Sequence, residues 1–265
     1  MEMRDPEMKT FKKMIPLILS AAMLLTLLAA CGSSQKTLED IQKKGTLVVS
    51  TSPDFPPFEY LEDGKVVGIE IDILEALGKK LDFTLDVQQM DFESVIPGVQ
   101  AGKFDLGASG ITATEERKKN VDFSDAYFMA SQAIVVAADS EITGKADLTG
   151  KKISVQTGTT AEDYCMSSGY EVLAFTANND AAAALTAGKV DAWVVDNEVA
   201  VVLAAQNGLK VLDEAMTSEP YAFAFPKNSQ SLVDAFNKEL NAMVADGTLE
   251  AIFEKYNTPY VSPLK

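Results

Sequence analysis

The chain has 265 residues, of which 39 are acidic and 23 basic, so its net charge is −16. This charge excludes a nucleic-acid partner, which would require a basic face. The sequence contains no histidine, which excludes Ser-His-Asp and Cys-His catalysis and removes the commonest zinc ligand. The length suffices for one large or two modest domains, and the composition is that of a globular protein.

The first thirty residues have the pattern of an export signal. A basic segment, KTFKK (9–13), precedes an uncharged apolar run at 14–30, which predicts a signal peptide over residues 1–30. LAAC (28–31) resembles the bacterial lipobox, and this implies a lipid on Cys31 followed by a linker over 31–36. We therefore expect an extracytoplasmic protein anchored to the bacterial membrane. The alternative is a plain signal peptide with an incidental cysteine.

Helix and strand signals alternate along the rest of the chain. A short helix at 37–45 leads into a strand at 46–51. Leucine and isoleucine recur at helical spacing in 66–81, and the internal proline of 91–102 does not remove its helical pattern. Predicted strands at 83–90 and 103–110 follow these two helices. Alternation of this kind predicts βαβ units and mostly parallel sheets.

The second half of the chain repeats this scheme. AGKFDL (101–106) and AGKVDA (187–192) both join a helix to a strand, which predicts two lobes of similar architecture. We expect lobe one over 37–130 and 219–265, lobe two over 131–218, and two crossings between them. Further strands are predicted at 151–160, 170–175, 189–197, 207–214 and 221–227, and further helices at 179–188, 229–247 and 248–257.

Two charged residues lie at or just beyond the carboxyl ends of predicted strands. Arg117 lies in the first turn of a predicted helix after the N-cap Thr114, where a cation opposes the helix dipole. Asp196 follows the apolar run AWVV. Ligands of open α/β sheets bind beyond the carboxyl ends of strands, so this pair suits a zwitterion, with its carboxylate on Arg117 and its ammonium on Asp196. The alternatives are a surface ion pair of Arg117 with Glu115 or Asp122, and a helix N-cap role for Asp196.

Hydroxyl and aromatic side chains surround these strand ends. Thr112 and Thr160 can complete a ligand shell, and Phe55 and Phe92 lie at turns, where they either wall a pocket or belong to the core. GTT (158–160) is a weak anion-binding signal. The sequence lacks both GxxxxGK[ST] and GxGxxG, which disfavours nucleotide binding. We expect no cofactor and no metal.

Several segments together resemble the polar amino-acid-binding family of solute-binding proteins of ABC transporters, which includes glutamine-, histidine- and arginine-binding proteins. The segments occur in the family's order between about Gly45 and Asn257: TSPDFPPFEY, GKVVGIEIDI, AGKFDLGASGITATEERKKNVDFSDAY, VQTGTT and DAWVVD. The resemblance implies a type II periplasmic-binding-protein-like α/β fold whose two lobes close around one amino acid.

The resemblance also implies roles for individual residues. Arg117 and the backbone of Thr112 and Thr160 would bind the ligand's α-carboxylate, and Asp196, Gly110 and the Thr112 hydroxyl its α-ammonium. Phe55 and Phe92 match positions that flank the ligand side chain, and Ser52, Ser109 and Gln156 match positions that tune its selection. Relatives that bind basic or amide ligands often have Asp at the position of Ser52, a departure that counts against a cationic ligand.

We therefore expect a monomeric lipoprotein that captures a free, polar L-amino acid and delivers it to the permease of an ABC transporter. A dehydratase-like enzyme on the same scaffold is one alternative, and without histidine its acid or base would be a carboxylate such as Asp54 or Glu59. A stand-alone amino-acid sensor is the other alternative.

Overall fold

Two five-stranded sheets organise residues 36–263, the part of the chain that the computed structural model describes. In chain order the strands are β1 (Thr46–Thr51), β2 (Asp54–Phe55), β3 (Glu59–Glu62), β4 (Lys65–Val67), β5 (Thr84–Gln89), β6 (Leu106–Gly107), β7 (Asp122–Phe123), β8 (Phe128–Ala130), β9 (Gln132–Ala137), β10 (Lys152–Gln156), β11 (Glu171–Phe175), β12 (Ala192–Asp196), β13 (Leu209–Val211), β14 (Glu219–Tyr221) and β15 (Ala224–Phe225).

Helices cover the strands of both sheets. They are α1 (Leu38–Lys44), α2 (Ile69–Leu81), α3 (Phe92–Gln100), α4 (Thr160–Ser167), α5 (Asn178–Thr186), α6 (Asn197–Asn207), α7 (Gln230–Ala245) and α8 (Thr248–Lys255), with short 3-10 helices at Arg117–Lys119 and Lys145–Leu148. Among the described residues, none of these helices combines the length and apolarity needed to cross a bilayer. The predicted signal peptide, Cys31 and most of the linker lie outside the described residues.

Each sheet contains one strand that runs against the other four. The first sheet has the order β5-β1-β6-β15-β7 and the second the order β11-β10-β12-β9-β13. The reversed strands are β15 and β9, which pair antiparallel with both of their neighbours. The α/β class is thus confirmed, and the sheets are mixed because each reversed strand comes shortly after the chain passes from the other sheet.

We use "lobe one" for the elements around the first sheet and "lobe two" for those around the second. The chain leaves lobe one through β8 and returns through β14, and these two strands pair antiparallel. Phe128 on β8 and Tyr221 on β14 are fully buried, and both contact Phe58 of lobe one. Phe128 also stacks on Phe253 of lobe one. The crossing segments are therefore anchored in an aromatic cluster of lobe one.

Local sequence accounts for several elements directly. Thr37 and Asp40 form a capping box at the start of α1, which satisfies two backbone donors reciprocally. In α2 the helical-spacing residues Ile73, Leu74 and Leu77 are fully buried, as the periodicity predicts. Pro97 lies inside α3 without ending it.

Several predicted strands are shorter than expected, and the strand predicted at 221–227 is interrupted between β14 and β15. The strand predicted at 103–110 is reduced to the two residues of β6, and that at 207–214 to β13. Beyond β6 the chain still contacts β1, since the Ala108 N–H donates to Ser50 O at 3.0 Å. The next residues turn away at Gly110, whose φ is +53°, and the following loop leaves the sheet there.

Candidate functional site

Arg117 opens a 3-10 helix instead of lying in the first turn of an α-helix, as the sequence predicted. Thr114 does cap this turn, because its hydroxyl accepts from the Arg117 N–H at 3.1 Å. The guanidinium donates to Thr112 O at 3.1 Å and, across the cleft between the lobes, to Gly158 O at 3.0 Å. Its carbon lies 5.5 Å from the centre of the Phe92 ring, within cation–π range.

No carboxylate of the described residues forms an ion pair with Arg117. Glu115 pairs with Lys118 at 2.8 Å and Asp122 with Lys227 at 3.0 Å, so the alternative of a surface ion pair is wrong. Burial lowers the pKa of Arg117, and nearby acids, Asp163 first, oppose this shift. The guanidinium nevertheless stays charged. Within the part of the chain that the structure describes, its N–H groups donate to carbonyl oxygens alone.

Asp196 is a buried carboxylate without a cationic partner among the described residues. It occupies the N-cap position of α6 but makes no side-chain cap hydrogen bond. Its Oδ1 accepts from the amide nitrogen of Gln132, at 3.1 Å. Burial first, and the nearby Glu219 second, raise the pKa of Asp196 to about 7. A cation that reaches this carboxylate would therefore stabilise its ionised form.

The N-terminus of α4 adds backbone donors at the same place. Thr159 is its N-cap, and its hydroxyl accepts from the Glu162 N–H at 3.2 Å. Thr160 is the first helical residue, so its N–H has no acceptor within the helix. Gln132 also donates to the Thr160 hydroxyl at 3.3 Å. Helix N-termini with free N–H groups favour anions.

Gly110 and Phe55 form a close contact on the lobe-one side. Gly110 has φ +53°, and a Cβ there would lie 2.4 Å from Phe55 Cε1. Only glycine fits, both for its backbone conformation and for its space. Phe55 is buried and packs near Phe58 and Tyr221, so it belongs to the core as well as to the cavity wall.

One small cavity between the lobes brings most of the predicted site residues together. Its atom-free space is about 240 Å³. Eight of the ten predicted binding residues line it, together with Thr159: Phe55, Phe92, Gly110, Thr112, Arg117, Gln156, Thr160 and Asp196.

Ser52 and Ser109 do not line this cavity. The Ser109 hydroxyl donates to Glu59 Oε1 at 3.1 Å and accepts from the Ser52 N–H at 3.0 Å. Ser52 Oγ donates to Asp54 Oδ1 at 3.2 Å. Both hydroxyls are thus engaged in holding the loops behind the cavity. Their predicted role in side-chain selection stays a prediction.

A pair of buried carboxyl groups lies behind the cavity. Glu59 and Glu70 are both fully buried, and burial raises the pKa of each, with the neighbouring Glu70 raising that of Glu59 further. Tyr127 OH and the Gly110 N–H donate to Glu70. Glu59 Oε2 has no hydrogen-bond partner among the described residues, and a proton on Glu59, donated to Glu70, would provide one.

Sequence reasoning missed two residues of the site. Thr159 begins the pattern T-x-x-E with Glu162, which is a capping-box signal that identifies the start of α4. Gln132 is a fully buried amide at the start of the apolar strand β9, and a polar residue beside such a run was the available signal. Gln132 lies opposite Asp196 in the antiparallel pairing of β9 with β12, which explains why it orients that carboxylate.

Comparison with known proteins agrees with this architecture. The family model of bacterial extracellular solute-binding proteins, family 3, matches residues 47–259. The arginine-binding extracellular protein ArtP of Bacillus subtilis (strain 168) is 36% identical over 250 residues, which cover 91% of this chain and 97% of ArtP.

Two solved structures of ancestral proteins are also similar. An ancestral arginine-binding protein bound to arginine is 42% identical, with a TM-score of 0.76 over 80% of this chain and 98% of that one. An ancestral arginine-binding protein bound to glutamine is 43% identical, with a TM-score of 0.76 over 80% and 97%. The sequence match, the two-lobed fold and the cavity agree: the chain belongs to family 3 of the bacterial extracellular solute-binding proteins.

Proposed function

We propose that this protein captures a free L-amino acid with a polar side chain in the cavity between its lobes and delivers it to the permease of an ABC transporter. The observation that carries the proposal is a pair of charged residues at one small cavity, Arg117 and Asp196, neither of which has an ionic partner within residues 36–263. An α-carboxylate complements the planar guanidinium fork, and an α-ammonium complements the aspartate.

The other lining residues would complete the shell. The α-carboxylate would accept hydrogen bonds from the backbone of Thr112 and from the Thr160 N–H at the start of α4, where the helix dipole also favours an anion. Gly110 and the Thr112 hydroxyl would hold the ammonium. Phe55 and Phe92 would flank the ligand side chain, and Gln156 would contact its polar end.

Ligand capture would proceed by hinge closure. We propose β8 and β14 as the two hinge crossings, with lobe one over 37–130 and 219–265 and lobe two over 131–218. Arg117, Thr112 and Gly110 belong to lobe one, whereas Asp196 and Thr160 belong to lobe two. A ligand that contacts both groups gains its full set of contacts only when the lobes are closed, so it favours the closed state.

Arginine and glutamine are the first candidates for the ligand. The similar protein ArtP is named for arginine binding, and the two similar ancestral proteins are bound to arginine and to glutamine. These relatives weigh against reading Ser52 as a sign that cationic ligands are excluded. Both amino acids carry terminal N–H donors, which suit the acceptor oxygen of Gln156 at the cavity wall.

The proposal extends to the protein's location, its oligomeric state and its lack of enzyme activity. The family supports an extracytoplasmic protein, and we propose attachment to the membrane through a lipid on Cys31 and a monomeric state. We further propose that the protein is not an enzyme. Glu59 is buried behind the cavity, and neither Glu59 nor Asp54 is among the described residues that line it, so neither carboxylate is placed to act on a ligand there.

A thermal-shift screen over the twenty amino acids tests this function. We expect arginine, glutamine or a closely related polar amino acid to raise the melting temperature, because a ligand at 100 times its Kd stabilises the folded state by about 2.7 kcal/mol. Calorimetry then gives the affinity, and mass spectrometry checks that the amino acid is recovered unchanged. A screen in which no amino acid stabilises the protein, or recovery of a converted product, would contradict the proposal.

A further inference from the structure

Helix α5 of lobe two begins without a cap of its own. Its N-cap position is Ala177, and no side chain of the cap residue bonds to the helix. Alanine is among the poorest residues at this position, because it offers no acceptor to the free N–H groups of the first turn. The acceptor must therefore come from elsewhere in the fold.

The missing acceptor is Asp54, which belongs to lobe one. Its Oδ2 accepts from the N–H of Asn178, the first residue of α5, at 2.7 Å. Its oxygens also accept from the Gln156 amide nitrogen at 3.2 and 3.4 Å. No described lysine or arginine forms an ion pair with it, so its charge is met by hydrogen-bond donors and by the positive end of the helix dipole.

These bonds cross between the lobes without passing through the proposed ligand. Asp54 is not among the residues that line the cavity, although its partner Gln156 and its neighbour Phe55 are. Its strand β2 belongs to lobe one, whereas Asn178 and Gln156 belong to lobe two. An opening of the lobes would separate the carboxylate from the helix and leave the first turn of α5 without this acceptor.

We propose that Asp54 is a closure latch, a positioning residue that caps helix α5 of the opposite lobe only when the lobes are closed. This inference rests on the proposed hinge closure. The latch adds a contact to the closed state whether or not a ligand is present, so it sets the fraction of closed protein and the rate of ligand release. It does not select between ligands.

Three variants separate the latch from a ligand contact. Asp54→Ala removes the acceptor, Asp54→Asn keeps one acceptor oxygen without the charge, and Asp139→Ala removes an exposed aspartate of lobe two as a matched control. We expect Asp54→Ala to release arginine and glutamine about tenfold faster or more, by a similar factor for both ligands. Asp54→Asn should recover part of this loss, and Asp139→Ala should behave as wild type.

The measurements are stopped-flow release, calorimetry for both amino acids, and hydrogen exchange at the Asn178 amide. That amide should be protected in the liganded wild type and exposed to exchange in Asp54→Ala. Unchanged release rates and unchanged protection in Asp54→Ala would overturn the latch. A loss confined to arginine, also seen in Asp54→Asn, would overturn it too, because it identifies Asp54 as the partner of the ligand's cationic side chain.

Small-angle scattering without ligand distinguishes failure of the latch from failure of the proposed function. The latch predicts a larger radius of gyration for ligand-free Asp54→Ala than for Asp139→Ala. If the wild type binds no amino acid, the proposed function fails, but this comparison still tests the latch. Equal radii for the two variants would contradict it.

Discussion

Asp196 is the residue whose protonation should control binding near neutral pH. Burial and the nearby Glu219 raise its pKa to about 7, so the ligand-free carboxylate is protonated below that pH. The proposed ligand ammonium requires the ionised form, and binding must therefore release this proton. We expect affinity to fall by about tenfold per pH unit below roughly pH 6 and to level off above roughly pH 8.

Calorimetry between pH 5 and 8.5, in two buffers of different ionisation enthalpy, measures both the affinity and the released proton. Glu198, Tyr221 and Arg117 also surround Asp196, but none of these groups removes the need for an ionised partner to the ammonium. An affinity that stays constant across this range, with no proton released, would show that Asp196 does not meet the ligand's cation.

For individual residues, the sequence predicted which charged residues lie at the cavity better than it predicted their contacts. The conflict between Arg117 and the helix dipole drew attention to the right position, yet the helix is a 3-10 turn and the guanidinium donates to carbonyl oxygens. The pairing of Glu115 with Lys118 follows from their spacing along the turn. Gln132 was missed because its contact with Asp196 depends on the register of β9 against β12.

Among the elements, the loop after β6 shows how a backbone conformation shapes the cavity. Gly110 combines a φ of +53° with a Cβ position 2.4 Å from Phe55 Cε1. We expect Gly110→Ala to displace Phe55 and to lower both the free energy of unfolding and the ligand affinity. The matched control is Gly188→Ala, where φ is +66° but no atom lies within 4 Å of the new Cβ.

Both substitutions place alanine at a positive φ, so the difference in their free energies of unfolding isolates the contact with Phe55. We expect Gly110→Ala to be less stable than Gly188→Ala by about 1–3 kcal/mol, the usual cost of overpacking. Urea unfolding gives the stabilities and calorimetry the affinities. Equal losses in the two variants would mean that the loop accommodates the methyl group and that Phe55 does not define the wall.

The order and type of most elements could be predicted because α2, α3 and α5 carry clear helical patterns and β1, β10 and β12 are apolar runs. The direction of the reversed strands β9 and β15 could not be predicted, since it depends on where the chain re-enters each lobe. The cap of α5 by Asp54 joins residues 124 positions apart. No local pattern encodes such a contact.

Across the whole molecule, the buried pair Glu59 and Glu70 should make stability depend on pH. Burial raises both pKa values above those of the unfolded chain, so the folded state binds the shared proton more tightly. The stabilising contribution is complete below the unfolded pKa of about 4.3 and is lost as the pH rises through the folded pKa. We expect Glu59→Gln, which mimics the protonated form, to remove the dependence of this contribution on pH.

Urea unfolding of the wild type and of Glu59→Gln between pH 4.5 and 8 measures the effect. The stability of the wild type relative to the variant should decrease with rising pH, with a slope of at most about 1.4 kcal/mol per pH unit. Asp196 is present in both proteins, so its own titration cancels in the difference. A difference that does not change with pH would mean that the pair holds no proton over this range.

In the proposed function, the ligand's two charged groups would have separate partners, Arg117 on lobe one and Asp196 on lobe two. We therefore expect a zwitterion to favour the closed state, whereas a ligand with only one of the two charges would contact only one of the two partners. Removal of one partner of a buried charge pair typically costs 2–5 kcal/mol, because the other charge is left unpaired.

The most direct measurement is calorimetry of the best-binding amino acid and of its decarboxylated amine, with wild type and with Arg117→Lys. We predict that the amine binds the wild type at least about 100 times more weakly. In Arg117→Lys the preference for the amino acid over the amine should shrink, because the lysine cannot form the bidentate pair. A wild-type protein that binds both compounds equally, or an unchanged preference in Arg117→Lys, would contradict the account.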